Sequence, residues 1–339
     1  MSTHHSPFGP PMDPAHPIGE LAAELAQVFD AAGFSADGIA GHLGPECTDA
    51  LHRGEPAAVA LGASGDTPRD HLIRLFLLHE HVPATLLSDV VGARLTAKLI
   101  DAGVVQTDSH GTVYVAYDIR PHVIVGRNRL VFSDVDASLV DHVPGPDHVL
   151  GVGSASLSLL HATPTTPVSS VLDMGTGSGV QLLGQLDSAE RIVATDVHDR
   201  ALELARATVA AAGAGDTVEL RQGSWFEPVA GERFDRIVAN PPFVVGLPEV
   251  GHVYRDSGLN LDAASELVIS QAAEHLYPGG TAHLLAAWVH RGEESWQQRV
   301  ASWLPDTGVA AWVIERDVVD PAHYVSCLLY TSDAADEED

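Results

Sequence analysis

Apolar residues recur at helical spacing through the first hundred positions, and then the period changes. Leu21, Leu25, Val28 and Phe29 make one stripe, which Gly33 ends. Residues 48–53 and 55–61 allow two short helices, and residues 62–67 are a turn-rich break. Leu72, Leu75, Phe76 and Leu78 form the next stripe. One helix carrying Leu86, Leu87, Val90 and Val91 follows Pro83, and another with Leu95, Leu99 and Ile100 lies between Gly92 and Gly103. Residues 104–108 and 112–117 then alternate about Ser109-His110-Gly111, as a β-hairpin does. Residues 123–125 and 130–133 are expected as strands that join two domains. His79-Glu80-His81 lacks the spacing of a zinc-binding helix and is expected as surface polar residues.

From Val168 onward strand and helix alternate regularly, which predicts an α/β domain with a parallel sheet. Strands are expected at 170–174, 191–195, 218–222, 234–239, 281–288 and 310–315. Helices are expected at 180–186, 200–212, 263–276 and 293–304. Ligands of such sheets lie beyond the carboxyl ends of the strands. Asp173, Asp196, Ser224 and Asn240 all fall at such ends, which argues for one shared site. The helices and hairpin before this domain resemble a winged helix, a module that binds nucleic acid in some proteins and serves as a docking or lid domain in others.

Composition narrows the picture. A chain of 339 residues with 45% hydrophobic content can bury a full α/β core and a second domain. Residues 1–17, rich in His and Pro, are expected as a disordered arm. No signal pattern and no apolar run of membrane-spanning length is present, so a cytoplasmic protein is expected. Two cysteines leave no disulfide framework or Cys-rich zinc site, and no metal is expected. The net charge of −28 argues against broad phosphate binding. Residues 69–129 are the exception, with seven basic and six acidic residues. Nucleic acid, if bound, would be met there by Arg94, Lys98, Arg120, Arg127 and Arg129.

The chemistry concentrates in two segments. In Asp173-Met-Gly175-Thr-Gly177-Ser-Gly179 the glycines allow close backbone approach and turn dihedrals that a Cβ forbids. A dinucleotide site uses G-x-G-x-x-G and puts pyrophosphate on a helix N-terminus. Here the spacing is G-x-G-x-G, and the acid Asp173 would repel pyrophosphate but attract the ammonium of S-adenosylmethionine. Asp196 can accept ribose hydroxyls. Trp225 can either stack on adenine or join Phe226 in the core. In Asn240-Pro241-Pro242-Phe243 the prolines stiffen the turn. The Asn240 side-chain oxygen and the Pro241 carbonyl can each accept an N–H of a target amine, while Phe243 stacks on the planar group carrying it.

These motifs resemble the class I S-adenosylmethionine methyltransferases with an N-P-P-aromatic element, which act on adenine N6, guanine N2 or protein glutamine. The resemblance covers about 168–315 and includes the release-factor glutamine enzymes, whose usual Asp is replaced here by Ser224. It implies that Asp173, Gly175, Thr176, Gly177, Gly179, Asp196, Ser224, Trp225 and Asn240 hold the cofactor. It implies that Asn240, Pro241 and Phe243 act at the acceptor nitrogen, and that Pro242, Phe243, Tyr254 and Arg255 hold the acceptor. Residues 148–156 are either a glycine-rich linker or a loop over the methionine end of the cofactor. The acceptor expected first is nucleic acid, RNA ahead of DNA. Protein glutamine is the alternative, and an inactive regulatory protein or a nucleotide-dependent oxidoreductase lie further off.

The expected organisation is an arm at 1–17, a helical domain at 18–122, a connecting segment at 123–167 and a methyltransferase domain at 168–326. Cys327-Leu-Leu-Tyr-Thr-Ser-Asp-Ala-Ala-Asp336 resembles a translated transposon-derived sequencing adapter. Residues 327–339 are therefore expected to be foreign, and the natural chain to continue past Ser326 with strands that complete the sheet.

Overall fold

Five parallel strands carry the carboxyl-terminal half: β6 (Val168–Met174), β7 (Ala189–Asp196), β8 (Val218–Gln222), β9 (Phe234–Ala239) and β10 (Leu276–Leu284). Their order across the sheet is β10-β9-β6-β7-β8. The computed structural model describes residues 18–135, 145–246, 257–292, 294–306 and 308–326. Strand alternation divides the sheet into two buried faces. Val171, Ile192, Ala194 and Val238 pack on one side with Leu159 and Leu160 of α7 (Ser154–Ala162) and Leu182 and Leu183 of α8 (Val180–Gln185). Leu172, Met174, Val193 and Ile237 pack on the other with Val268 and Ala272 of α10 (Ala263–Ala272).

The amino-terminal half is built from α1 (Ile18–Ala31), α2 (Ala36–His52), α3 (Pro56–Gly62), α4 (Pro68–Phe76), α5 (Ala84–Val91) and α6 (Ala93–Asp101). Phe29, Phe34 and Phe76 meet edge to face at its centre, with ring centroids 4.6 and 4.9 Å apart. A three-stranded sheet in the order β1-β3-β2 closes this half, from β1 (Val82–Pro83), β2 (Val105–Thr107) and β3 (Thr112–Val115). The hairpin of β4 (Asp118–Ile124) and β5 (Arg127–Ser133) follows. One helix serves both halves. Ala201, Leu204 and Ala207 of α9 (Asp199–Ala211) enter the amino-terminal core, while Val209 packs under the large sheet.

Several expectations change. The span α2 holds two helical segments joined at a kink, where Gly44 (φ 75°) leaves helical geometry and Pro45 follows. The first segment adds to the expected short helices, and the second starts before residue 48. The strand expected at 281–288 is β10, which begins at Leu276 through its pairing with Phe234. No strand forms at 310–315, which has no ladder partner among the described residues. Helix α11 covers Trp296–Ser302 rather than 293–304. Residues 304–326 form a unit of their own. His79 is not a surface residue: it is buried with φ 50°, and its Nδ1 lies 3.0 Å from the Val115 carbonyl, to which the ring donates. His81 is exposed and pairs with Asp108 at 2.6 Å. No described helix is long and apolar enough to cross a membrane, and no described group of three His, Cys, Asp or Glu residues is placed to hold a metal.

Candidate functional site

Strand register brings the predicted acids to one edge. Asp173 pairs across from Ala194 and Val238, so Asp196 and Asn240 each follow two residues beyond its neighbours. Asp173 and Asp196 share the alternation of Val171 and Ile192, which faces α8. The acids and the glycine turn therefore meet because period-two strands deliver them to the same face.

The turn itself is shaped by three glycines at φ 70°, 53° and 87°, at positions 175, 177 and 179. The amides of Gly175 and Thr176 both donate to the Thr195 carbonyl at 2.9 Å, which ties the turn to β7. A Cβ on Gly175 or Gly177 would meet nothing within 4 Å, whereas one on Gly179 would press on Leu182 at 3.3 Å. Gly179 packs against the helix. Gly175 and Gly177 leave backbone bare toward open space.

Asp173 lies beneath this turn at 1% exposure. Its Oδ2 accepts from the Thr176 hydroxyl at 2.7 Å and the Leu182 amide at 3.0 Å, while Oδ1 has no partner. Burial pushes its pKa up to about 7; the two hydrogen bonds oppose the shift and the Asp196 charge adds to it. A buried carboxylate with an empty acceptor is suited to a cation. Asp196 accepts from the Gly177 amide and from the His198 amide, each at 3.0 Å. Burial also raises its pKa, against those bonds. Each of its oxygens keeps a second lone pair for a hydroxyl donor.

Around these acids lie three further segments. Val197 leaves half of its surface exposed beside Asp196, an apolar ledge that sequence reading passed over because a lone valine after a strand carries no signal. Ser224 and Trp225 are half-buried after β8, and Trp225 takes φ 49°, a left-handed conformation costly for an aromatic residue. Phe226 is core, stacked on His275 at 4.6 Å. After β9, Asn240, Pro242 and Phe243 are half-buried and Pro241 is buried. Tyr254 and Arg255 lie outside the described residues. The ends of the segment that contains them are joined, with the Leu261 amide donating to the Gly246 carbonyl at 2.8 Å. Just beyond, the buried Asp262 accepts from the Val289 amide at 2.9 Å and from Arg299 at 2.7 and 2.8 Å. Residues 148–156 lie against the glycine turn: the Ser178 hydroxyl donates to the Leu150 carbonyl at 2.7 Å, and the Gln181 amide group to the Ser156 carbonyl at 2.9 Å.

The basic residues are occupied differently from the expectation. Lys98 pairs with Glu24, Arg120 with Asp118 at 2.6 Å, and Arg127 and Arg129 with Asp187 at 3.5 and 3.2 Å. Arg94 adds its charge beside Glu24, whose pKa is lowered first by the Lys98 hydrogen bond.

The methyltransferase small domain family matches residues 150–298, and a domain of unknown function, DUF7059, matches residues 31–116. The release factor glutamine methyltransferase of Aliivibrio fischeri is 36% identical over 126 residues, 36% of this chain and 42% of that protein. That of Xylella fastidiosa is 32% identical over 179 residues, 49% of this chain and 62% of the relative. The ribosomal protein uL3 glutamine methyltransferase of Bordetella pertussis is 31% identical over 207 residues, 58% and 64% of the two chains. The chain thus spans less than two thirds of the length of each of these relatives. Among solved structures, the Thermus thermophilus 16S rRNA N2 G1207 methyltransferase in complex with AdoMet and guanosine is similar at 20% identity and a TM-score of 0.38, over 58% of this chain and 53% of that one.

Proposed function

We propose that this chain, whose residues 150–298 match the methyltransferase small domain family, transfers a methyl group from S-adenosylmethionine to a planar amide or amino nitrogen. The observation that carries the proposal is the buried Asp173 carboxylate, with its unpartnered Oδ1, beside a glycine turn open at Gly175 and Gly177. That donor set fits a cofactor with an ammonium at one end. Asp173, together with Gly175, Thr176, Gly177 and Gly179, would hold its amino-acid part, Asp196 its ribose, and Val197, Ser224 and Trp225 its base. The cofactor supplies an electrophilic methyl group.

The chain's own residues supply position. The Asn240 side-chain oxygen and the Pro241 carbonyl each accept an N–H of the acceptor. This draws the nitrogen lone pair out of conjugation and aims it at the methyl carbon. Phe243 and Pro242 hold the flat face of the acceptor, and Tyr254 and Arg255 are assigned to it from the sequence alone. The methylated nitrogen would release its proton to solvent. No general base is required.

Gly177→Val is expected to raise the dissociation constant for the donor about a hundred-fold. The new side chain enters the space the backbone leaves open and is strained at φ 53°. Calorimetry with S-adenosylmethionine checks this, and an unchanged affinity would move the donor elsewhere.

For the acceptor, protein glutamine leads. The relatives named for glutamine support it, and so does the pairing of Lys98, Arg120, Arg127 and Arg129 with carboxylates, which leaves those cations little charge for a phosphate backbone. A translation protein as acceptor also fits a cytoplasmic enzyme. RNA stands second, favoured by residues 18–122, whose helices with a β1-β3-β2 sheet resemble a winged helix. Labelled donor offered with separate pools of RNA, DNA, ribosomal proteins and release factors discriminates. Label is expected in protein, with turnover that changes less than about three-fold between 50 and 200 mM salt. Label in RNA with a steep salt slope would reverse the order.

A further inference from the structure

The backbone of residues 148–151 is fastened at two adjacent points. The Val149 amide donates to Asp134 Oδ2 at 2.8 Å, and the Asp134 amide donates back to the Val149 carbonyl at 3.0 Å. One residue on, the Leu150 carbonyl accepts the Ser178 hydroxyl of the glycine turn. Gly151 then passes so close to Ser133 that a Cβ would stand 2.8 Å from its hydroxyl oxygen.

Asp134 does not hold the loop alone. Its carboxylate is gripped by both arms of Arg200, with Nε 3.0 Å from Oδ2 and the second bond to Oδ1. Arg200 lies in the first turn of α9, four residues after Asp196, and its guanidinium also covers the Tyr117 ring at 5.6 Å. The contacts therefore close a ring: Gly177 to Asp196, along the chain to Arg200, across to Asp134, over to Val149 and Leu150, and back through Ser178 to the turn. Leu150, half exposed, is carried on this ring.

We propose that Asp134 and Arg200 are positioning residues for the methyl donor: their ion pair holds residues 148–151 against Ser178 as the wall of the site at the donor's amino-acid end. This rests on the S-adenosylmethionine proposal above. The physical gain is preorganisation. Left unfastened, the His148-Val-Leu-Gly151 loop would lose backbone freedom when a ligand settled under it, and that loss would subtract from affinity. Fastening it in the ligand-free protein removes the cost from the binding step. A two-armed guanidinium–carboxylate pair suits the task because it fixes the carboxylate plane, and hence the direction from which Val149 is held.

The test uses the full chain, calorimetry and two ligands. S-adenosylhomocysteine carries the amino-acid end, and 5′-methylthioadenosine lacks it. Arg200→Gln and Asp134→Ala should raise the dissociation constant for S-adenosylhomocysteine about ten-fold or more, with methylthioadenosine changed less than about two-fold. Hydrogen exchange at the Val149 amide should quicken in both variants, and Arg200→Lys should recover part of the affinity. Ser178→Ala cuts the other tie without touching the pair and should show the same ligand selectivity. It decides the matter if Asp134→Ala does not fold. Folded variants that lose both ligands equally, or neither, would overturn the positioning role. Failure of the unaltered protein to bind S-adenosylhomocysteine would instead overturn the cofactor proposal on which it stands.

Discussion

Replacing Asn240 with alanine is expected to cut methyl transfer about a hundred-fold or more while leaving donor affinity within a few-fold of the unaltered protein. Asn240 follows β9 at the same sheet edge as Asp173 and Asp196, but the amino-acid and ribose contacts belong to those acids. Its amide oxygen is assigned to the acceptor nitrogen. Losing it removes one of two acceptors that orient the lone pair, an effect felt in the transition state more than in cofactor binding. Single-turnover rates alongside calorimetry separate the two quantities. A variant that keeps its rate would make the Asn-Pro-Pro-Phe segment a stiff turn with no chemical part, and one that loses donor binding would move Asn240 to the cofactor.

Asp173→Asn should have opposite effects on stability and binding. Burial raises the Asp173 pKa from 3.8 to about 7, so the folded ligand-free protein keeps a proton that the unfolded chain gives up. The sign follows: stability from this group is fully present below about pH 4, falls as pH rises, and is gone above about pH 7, a loss of about 4 kcal/mol at the most. Asparagine does not ionise, so the variant should unfold with about 2 kcal/mol more stability at pH 8 and lack that slope. Its donor affinity should fall about a hundred-fold, because the ammonium loses its counter-charge.

The same titration governs binding. A cationic ligand requires the ionised carboxylate, so below pH 7 binding should release a proton and affinity should rise with pH, then level. Urea unfolding across pH and calorimetry in buffers of different ionisation enthalpy measure both effects. An identical pH slope in the asparagine variant would assign the titration to another group.

The amino-acid sequence by itself determined the parallel α/β half, the glycine turn, and the delivery of Asp173, Asp196 and Asn240 to one edge. These are consequences of local period: a strand of alternating residues puts its end where the pattern stops, and glycines mark a turn that only they can make. Strands β8 and β9 kept their expected bounds for this reason. What depended on a partner was not legible. Residues 310–315 have strand composition, yet a strand exists only when another backbone completes its ladder. His79 looked polar and exposed, but β3 lies over it and its ring found a carbonyl there. Helix α9 gave no sign that one of its sides would close the amino-terminal core. The cations of residues 69–129 could be counted in sequence, but only folding set Asp187 against Arg127 and Arg129. Asp134 and Arg200, 66 residues apart, have no shared pattern at all. Periodicity is written along the chain and survives in one dimension, whereas charge pairing, burial and the fastening of a loop arise from which segments the tertiary structure brings together.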